Sequence, residues 1–347
     1  MPLSEPRGGG FDPRILLADI DLRSDGPDSA VNFTAASYDA VKNQALIGGN
    51  NSFTGTMADI MAGKVAQYPT NPNTVITGGD VGDFYANNID GGALVRIGNQ
   101  FARTADDGAS WTAITPGVSA SYDGIQSWRE SQIIYLHQRL SIPSRDYIIS
   151  NDNGATFPFT TGFSGLANVG RQGIHKAGGD AMIIIHGQGP ALAWSVSDDL
   201  TAAVWNSFDF AALLGALGVV QSLATNGDAS HAVVSTNTGD IITSTDGLNS
   251  WTLFDRDLNP FQAGDNPAAG RDIEDVTFVP DLGGYFLTHR SIVGFFIPDD
   301  SSLNAGRTIS YAMIGAVNPQ PDSGLTDNAN LLVPATNNSA LRTLPSE

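Results

Sequence analysis

Cysteine is absent from all 347 residues, so neither a disulfide framework nor thiol chemistry is available, although this does not fix the compartment. Basic residues are scarce: 17 Lys and Arg stand against 36 Asp and Glu, a formal net charge of −19. With no Lys/Arg cluster, that balance excludes binding of nucleic acid or an anionic membrane through a basic surface. Glutamate is nearly missing too. Only Glu5, Glu130, Glu274 and Glu347 occur, which leaves 32 aspartates (36 − 4). Asp favours turns and caps where Glu favours helices, so the acids themselves point to a loop-rich β-protein. No apolar run is long enough to cross a bilayer as a helix, and no membrane insertion is expected. The segment 1–10 lacks the apolar centre of a signal peptide, which leads to the expectation of synthesis in a cytoplasm without ordinary export.

What the chain does contain is turn chemistry. Its 39 Gly and 18 Pro, with abundant Asn, Asp, Ser and Thr, suit many short strands joined by tight reversals. One turn recurs. It reads Thr104-Ala105-Asp106-Asp107-Gly108-Ala109-Ser110-Trp111, then Ser150-Asn151-Asp152-Asn153-Gly154-Ala155-Thr156-Phe157. A looser copy opens at Ser195 with Trp205 behind it, and a shortened one runs from Ser244 through Asp246 and Gly247 to Trp251. The openings are 46, 45 and 49 residues apart (150−104, 195−150, 244−195), a period typical of propeller blades and other repeat arrays. Each copy lies between apolar, strand-like runs such as Ala93–Ile97 and Tyr147–Ile149, so the motif is a hairpin turn. The Ser/Thr and Asp side chains can hold backbone N–H groups, the Gly accepts a positive φ, and the aromatic fills the gap toward the next repeat.

The motif resembles the Asp-box, or BNR repeat, of β-propellers such as sialidases, sortilin-type receptors, some glucanases and many phage proteins. The resemblance covers the middle of the chain, from about one third to three quarters of its length. It implies an all-β propeller of four-stranded antiparallel blades, with the boxes on the periphery and Thr104, Asp106, Gly108, Trp111, Ser150, Asp152, Gly154, Phe157, Ser244, Asp246, Gly247 and Trp251 in a structural role. Six blade-like units can be traced over 31–314. Residues 328–347 supply too little for another blade, while 11–22 contain an orphan strand; a closing strand shared between the termini removes the exposed edge, so seven blades are favoured over six within one domain, 1–347. The best helical candidate is Phe208–Leu217.

Catalytic signals are thin. Sialidases hold a carboxylate with an arginine triad and use a Tyr/Glu pair with an Asp acid, yet no arginine spacing here singles out three. Glu130 and Glu274 are the glutamates that could serve as catalysts, and Trp128-Arg129-Glu130 is the most enzyme-like cluster; its plainer reading is a rim ion pair beside a packing Trp. Trp128, Tyr122 and Trp194 could offer sugar-stacking platforms or fill gaps between blades. The five histidines, His137, His175, His186, His231 and His289, read as scattered structural residues with no close pair, and no metal or other cofactor is expected. The run Asp19–Gly26 departs from a calcium-loop pattern and lacks the closing Glu. No nucleophile elbow, phosphate loop or dinucleotide fingerprint occurs.

Two function classes follow. The first is a non-enzymatic structural or adhesion propeller. The resemblance to phage proteins makes it a virion component, tail or capsid-surface, with neighbouring proteins or a surface glycan as partners. The alternative is a glycoside hydrolase of sialidase-like or glucanase-like type.

Overall fold

The computed structural model describes residues 17–21, 23–24, 33–39, 44–49, 52–55, 58–59, 64–67, 72, 75–76, 81–86, 93–97, 100–106, 108–114, 121–128, 133–138, 145–162, 173–178, 181–186, 189–214, 219–254, 273–289, 293–299, 303, 309–312, 325–326, 331–334 and 339–343. These form seven sheets, six of four strands and one of five. Within each of the six sheets that begin after residue 32, four successive strands pair antiparallel in chain order; in the first, a short strand, Arg23–Ser24, adds parallel to the outermost strand, Lys64–Gln67.

The first strand of each sheet lies innermost. These strands are Phe33–Asp39, Val81–Ala86, Ser121–Ser127, Gly173–Ala177, Val220–Thr225, Ile273–Val279 and Leu325–Thr326. Each contacts the innermost strand of the next sheet, and the last returns to contact the first. The sheets therefore form a closed ring. The seventh is completed by the chain's beginning: Leu17–Asp21 pairs antiparallel with Ser339–Thr343, from Leu17↔Thr343 to Asp21↔Ser339. This closing strand falls within the segment the sequence assigned to it. The seven sheets are consistent with the seven-bladed expectation.

In the fourth and fifth sheets, where the side chains are described, the middle strands are buried on both faces, as a sheet sandwiched between two neighbours requires. Ala232–Thr236 and Ile241–Ser244 are buried throughout, and Ile183 to Ile185 are fully inaccessible. A continuous Val/Ile run without polar alternation is the sequence mark of such a strand. Outer strands are exposed instead, as at Asn206–Asp209. The core is thus divided among the seams between sheets. Trp128, Tyr147 and Ile149 of the third sheet pack against Ile183, Ile185, Ala191, Ala193 and Leu200 of the fourth. Ile184, Leu192 and Phe210 pack against Val220, Leu223, Val234, Ile242 and Trp251 of the fifth. Val233 and Ile241 meet Val276, Tyr285, Leu287 and Ile297 of the sixth. Each large aliphatic side chain so buried stabilises the fold by about 1.5–3 kcal/mol.

The expected helix Phe208–Leu217 is corrected. Phe208 and Asp209 pair with Leu192 and Ala191 as the end of an outer strand, and α1 (Ala211–Leu214) follows; the remaining 215–217 lie outside the described residues. Asp209 causes the switch, its Oδ1 accepting the Ala211 N–H at 2.8 Å.

Candidate functional site

Strand order divides the ring into two faces. Innermost strands start at one face, where the second-to-third strand turns and the connections between sheets also lie. The opposite face carries the first-to-second and third-to-fourth strand turns.

The recurring turns occupy the second face, and their side chains are fully engaged. Thr104 Oγ1 donates to Asp106 Oδ1 (2.7 Å) and accepts the Gly108 N–H (2.9 Å). Asp106 then accepts the Ser110 N–H at 2.9 Å and the Ser110 hydroxyl at 2.6 Å. Ser150, Asp152, Gly154 and Thr156 repeat the set at 2.6, 2.8, 2.8 and 2.6 Å. Gly108 and Gly154 have φ of 81° and 79°. The Ser110 hydroxyl and amide hold the Asp106 carboxyl down to about 2. For Asp152, burial pushes upward but the Ser150 and Thr156 hydrogen bonds outweigh it, and the carboxyl lies below its usual range. Ser250 similarly lowers Asp246.

The copy at Ser244 is not shortened. Leu248, with φ of 69°, holds the position of Gly108 and Gly154, and its N–H donates to Ser244 Oγ (3.1 Å); Gly247 sits one residue earlier. At Ser195 the departure is real. Ser197 takes the aspartate's place, accepting the Ser195 hydroxyl (3.0 Å) and the Val204 N–H (3.0 Å), while Asp199 caps a 3-10 turn, Leu200–Ala202.

The opposite face is built differently. Five innermost strands begin with a register shift that leaves one extra residue: Thr34, Gly82, Asp123, Gln221 and Glu274. Such bulges bend a strand and re-aim its residues at a rim. The inter-sheet connections here include the longest in the chain, Gln67 to Val81, Leu253 to Ile273 and Ala312 to Leu325, whereas the first hairpins on the other face span only Asp39 to Gln44 or Val279 to Gly284.

Against this frame the residues singled out by sequence separate. Trp128 is not a sugar platform. It is 2% exposed, packed in the seam between the third and fourth sheets, and its Nε1–H donates to Ser197 O at 2.9 Å. Trp194 is partly buried against the core between the fourth and fifth sheets. Trp111 and Trp251 are buried behind their turns, and Phe157 lies 6.0 Å from Phe101. Tyr122 precedes the bulge at Asp123, and Glu274 is itself a bulge residue on the inter-sheet-connection face. Arg129 and Glu130 lie outside the described residues.

The histidine expectation is overturned. His175 and His186 stand on adjacent strands of one hairpin, their Nε2 atoms 2.8 Å apart. His175 lies opposite Ile184 and His186 opposite Gly173, so the two share a face on a diagonal. The signal was available: folding the chain about the middle of the turn from Gly178 to Ala181 puts both residues on one face.

His231 forms a second cluster. Its Nδ1 lies 2.7 Å from Asp299 Oδ1, and since a carboxylate only accepts, Nδ1 carries the proton. Asn226 Nδ2 donates to Asp299 Oδ2 (3.2 Å), tying the fifth sheet to the sixth. Tyr285 is buried beside them; burial first, and then the Asp299 charge, push its hydroxyl far above the usual phenol range. Among the described residues no group of three His, Asp or Glu is placed to hold a metal ion.

No protein-family model matches the chain, and no curated protein does. Solved structures do. A catalytically inactive virginiamycin B lyase from Staphylococcus aureus, determined with quinupristin, matches with a TM-score of 0.66 at 14% identity, covering 96% of this chain and all of that one. YCF48 from Cyanidioschyzon merolae matches with a TM-score of 0.64 at 10% identity, covering 95% of this chain and all of that one. At such identities the likeness speaks for architecture alone. Together with the closed ring of antiparallel sheets, it establishes the chain as a β-propeller.

Proposed function

We propose that this chain is a one-domain, non-enzymatic binding propeller of the Asp-box type, a phage virion component of tail or capsid surface. It uses the face of the inter-sheet connections to engage a host glycan or a neighbouring virion protein. The observation that carries the reading is the division of labour between faces. On the turn face, the polar side chains of the recurring turns close on one another, and Asp106, Asp152 and Asp246 serve as hydrogen-bond hubs. On the other face, five innermost strands begin with a bulge and the longest connections leave and re-enter the sheets, the arrangement expected where loops on a rigid scaffold do the recognising. The virion assignment rests on the resemblance of the recurring turn to those of phage propellers.

A glycan array read both for retained protein and, by mass spectrometry, for cleaved product tests this. Retention without turnover, abolished by substitutions in the connection between Leu253 and Ile273 but not by Asp106→Asn, supports it. Turnover on any array member overturns it in favour of a glycoside hydrolase, and Glu130→Gln and Glu274→Gln then identify the acid. Silence in both channels moves the partner from glycan to protein, to be sought by crosslinking within purified virions.

A further inference from the structure

We propose that His175 and His186 form a binding site for one divalent transition-metal ion. The innermost and second strands of the fourth sheet, Gly173–Ala177 and Met182–His186, place the two rings on the face turned toward the fifth sheet, with Ala177 and Ile184 below them. The rings are nearly coplanar, 9° apart, with centroids separated by 5.0 Å and Nε2 atoms by 2.8 Å. A centroid distance so much greater than the nitrogen gap means that the rings meet end to end, not face to face. Both Nε2 positions therefore aim at one point between two strands. Without a metal, one Nε2 donates its proton to the other.

Neutral imidazole suits Zn, Cu and Ni. Two nitrogens at about 2.0–2.1 Å from a tetrahedral ion stand about 3.3 Å apart. The pair must therefore open by about half an ångström and tilt, a change within reach of side-chain torsions because sp³–sp² torsions are broad. The surroundings fix one ring and free the other. His186 is fully buried, at the start of the turn whose Gly189 carbonyl accepts the Val220 N–H of the next sheet (3.1 Å). His175 is only part-buried, so an ion can enter from its side. Two protein nitrogens leave coordination positions for water or for an oxygen ligand, the open arrangement that distinguishes reactive metal sites from closed structural ones. The pair lies at the end of the sheet where the inter-sheet connections are. Metal binding does not depend on the function proposed for that face.

The test uses full-length, tag-free protein stripped with a chelator and titrated with Cu²⁺ and Co²⁺. The expected result is one tight equivalent of Cu²⁺ whose electron paramagnetic resonance spectrum shows two imidazole nitrogens, with a Co²⁺ d–d absorption to match. Excess Ca²⁺ should not displace it, which separates the site from surface carboxylates on a chain of net charge −19. His175→Ala, at the part-exposed position, should weaken binding at least tenfold while its thermal unfolding stays cooperative. A wild-type spectrum with fewer than two imidazole nitrogens overturns the proposal without any variant. So does unchanged affinity in His175→Ala.

Discussion

Ser150→Ala isolates what the recurring turn contributes. The Ser150 hydroxyl is fully buried, donates to Asp152 Oδ1 at 2.6 Å and accepts the Gly154 N–H at 2.8 Å. It also accepts the Asp152 N–H at 3.2 Å, so alanine removes three bonds at once, with unequal consequences. Asp152 is exposed at the surface, so water replaces the lost donor at little cost. The Gly154 N–H is buried, and an unsatisfied buried donor costs about 1–3 kcal/mol. Together the loss should reach about 2–3 kcal/mol, read as a fall in the urea midpoint at unchanged slope. Equilibrium denaturation is preferred to a thermal scan because large domains often unfold irreversibly on heating. Ser150→Thr is the control, since Thr104 performs the same task in the preceding copy, and it should stay within about 0.5 kcal/mol of wild type. The reasoning fails if alanine costs less than about 0.5 kcal/mol, or if threonine costs as much as alanine.

Acid should act on the same turns. The Asp106 carboxyl is held at about 2 in the folded chain against an ordinary aspartate value of 3.8, and Asp152 and Asp246 are lowered as well. In this window the unfolded chain binds more protons than the folded one, so the contribution is complete above pH 4 or so and is lost as pH falls toward 2. The triple variant Asp106→Asn/Asp152→Asn/Asp246→Asn should flatten that limb of a pH–stability profile, and an unchanged limb would sink the assignment. Trp128→Ala should cost about 3–5 kcal/mol by leaving a cavity between the third and fourth sheets, measurable by urea denaturation. Trp128→Phe should cost less, by keeping most of the volume while losing the bond to Ser197 O; equal losses would mean that the indole N–H carries the effect alone. Removing residues 1–22 strips Leu17–Asp21 from Ser339–Thr343 and leaves an open strand edge, so light scattering should show concentration-dependent association; a stable monomer would refute the closing role.

The sequence displayed the local chemistry well and the convergence of distant residues poorly. Turns at Thr104 and Ser150 were legible because Ser/Thr, Asp and Gly act within a few residues of one another. The closing strand was legible because Arg14–Leu22 had no local partner while the C-terminal strands lacked one. Phe208–Leu217 misled because its apolar run follows two periods: Phe208 belongs to a strand, and Phe210 starts the cap of a single helical turn that Asp209 holds. The copy at Ser244 misled because Gly247 was matched to Gly108 by residue type, although the positive-φ donor position falls on Leu248. Trp128 admitted two readings, since an aromatic beside Arg-Glu looks like a sugar platform until the facing sheet is known. What buries it comes from the next repeat: Ser197 accepts its N–H 69 residues away.

The two histidines show where the boundary lies. Each is unremarkable in its own strand, and a pair separated by 11 residues matches no ligand spacing on a helix. On a hairpin the turn's centre sets the partner of every residue, and parity then decides which side chains share a face. Once the turn from Gly178 to Ala181, closed by the Ala181 N–H on the Gly178 carbonyl (3.2 Å), is taken as that centre, His175 falls opposite Ile184 and His186 one diagonal step away. The same arithmetic explains the asymmetry between the faces. Turns inside a sheet are constrained by strand pairing, and the third-to-fourth strand turn repeats one residue pattern in the second, third and fifth sheets, where its polar groups bond one another. Connections between sheets carry no such register constraint, and their lengths and compositions vary. A propeller that recognises a partner can therefore change its connections without disturbing the Ser/Thr–Asp–Gly turns that hold the ring, which is why the recognisable motif and the proposed binding surface lie at opposite ends of the same strands.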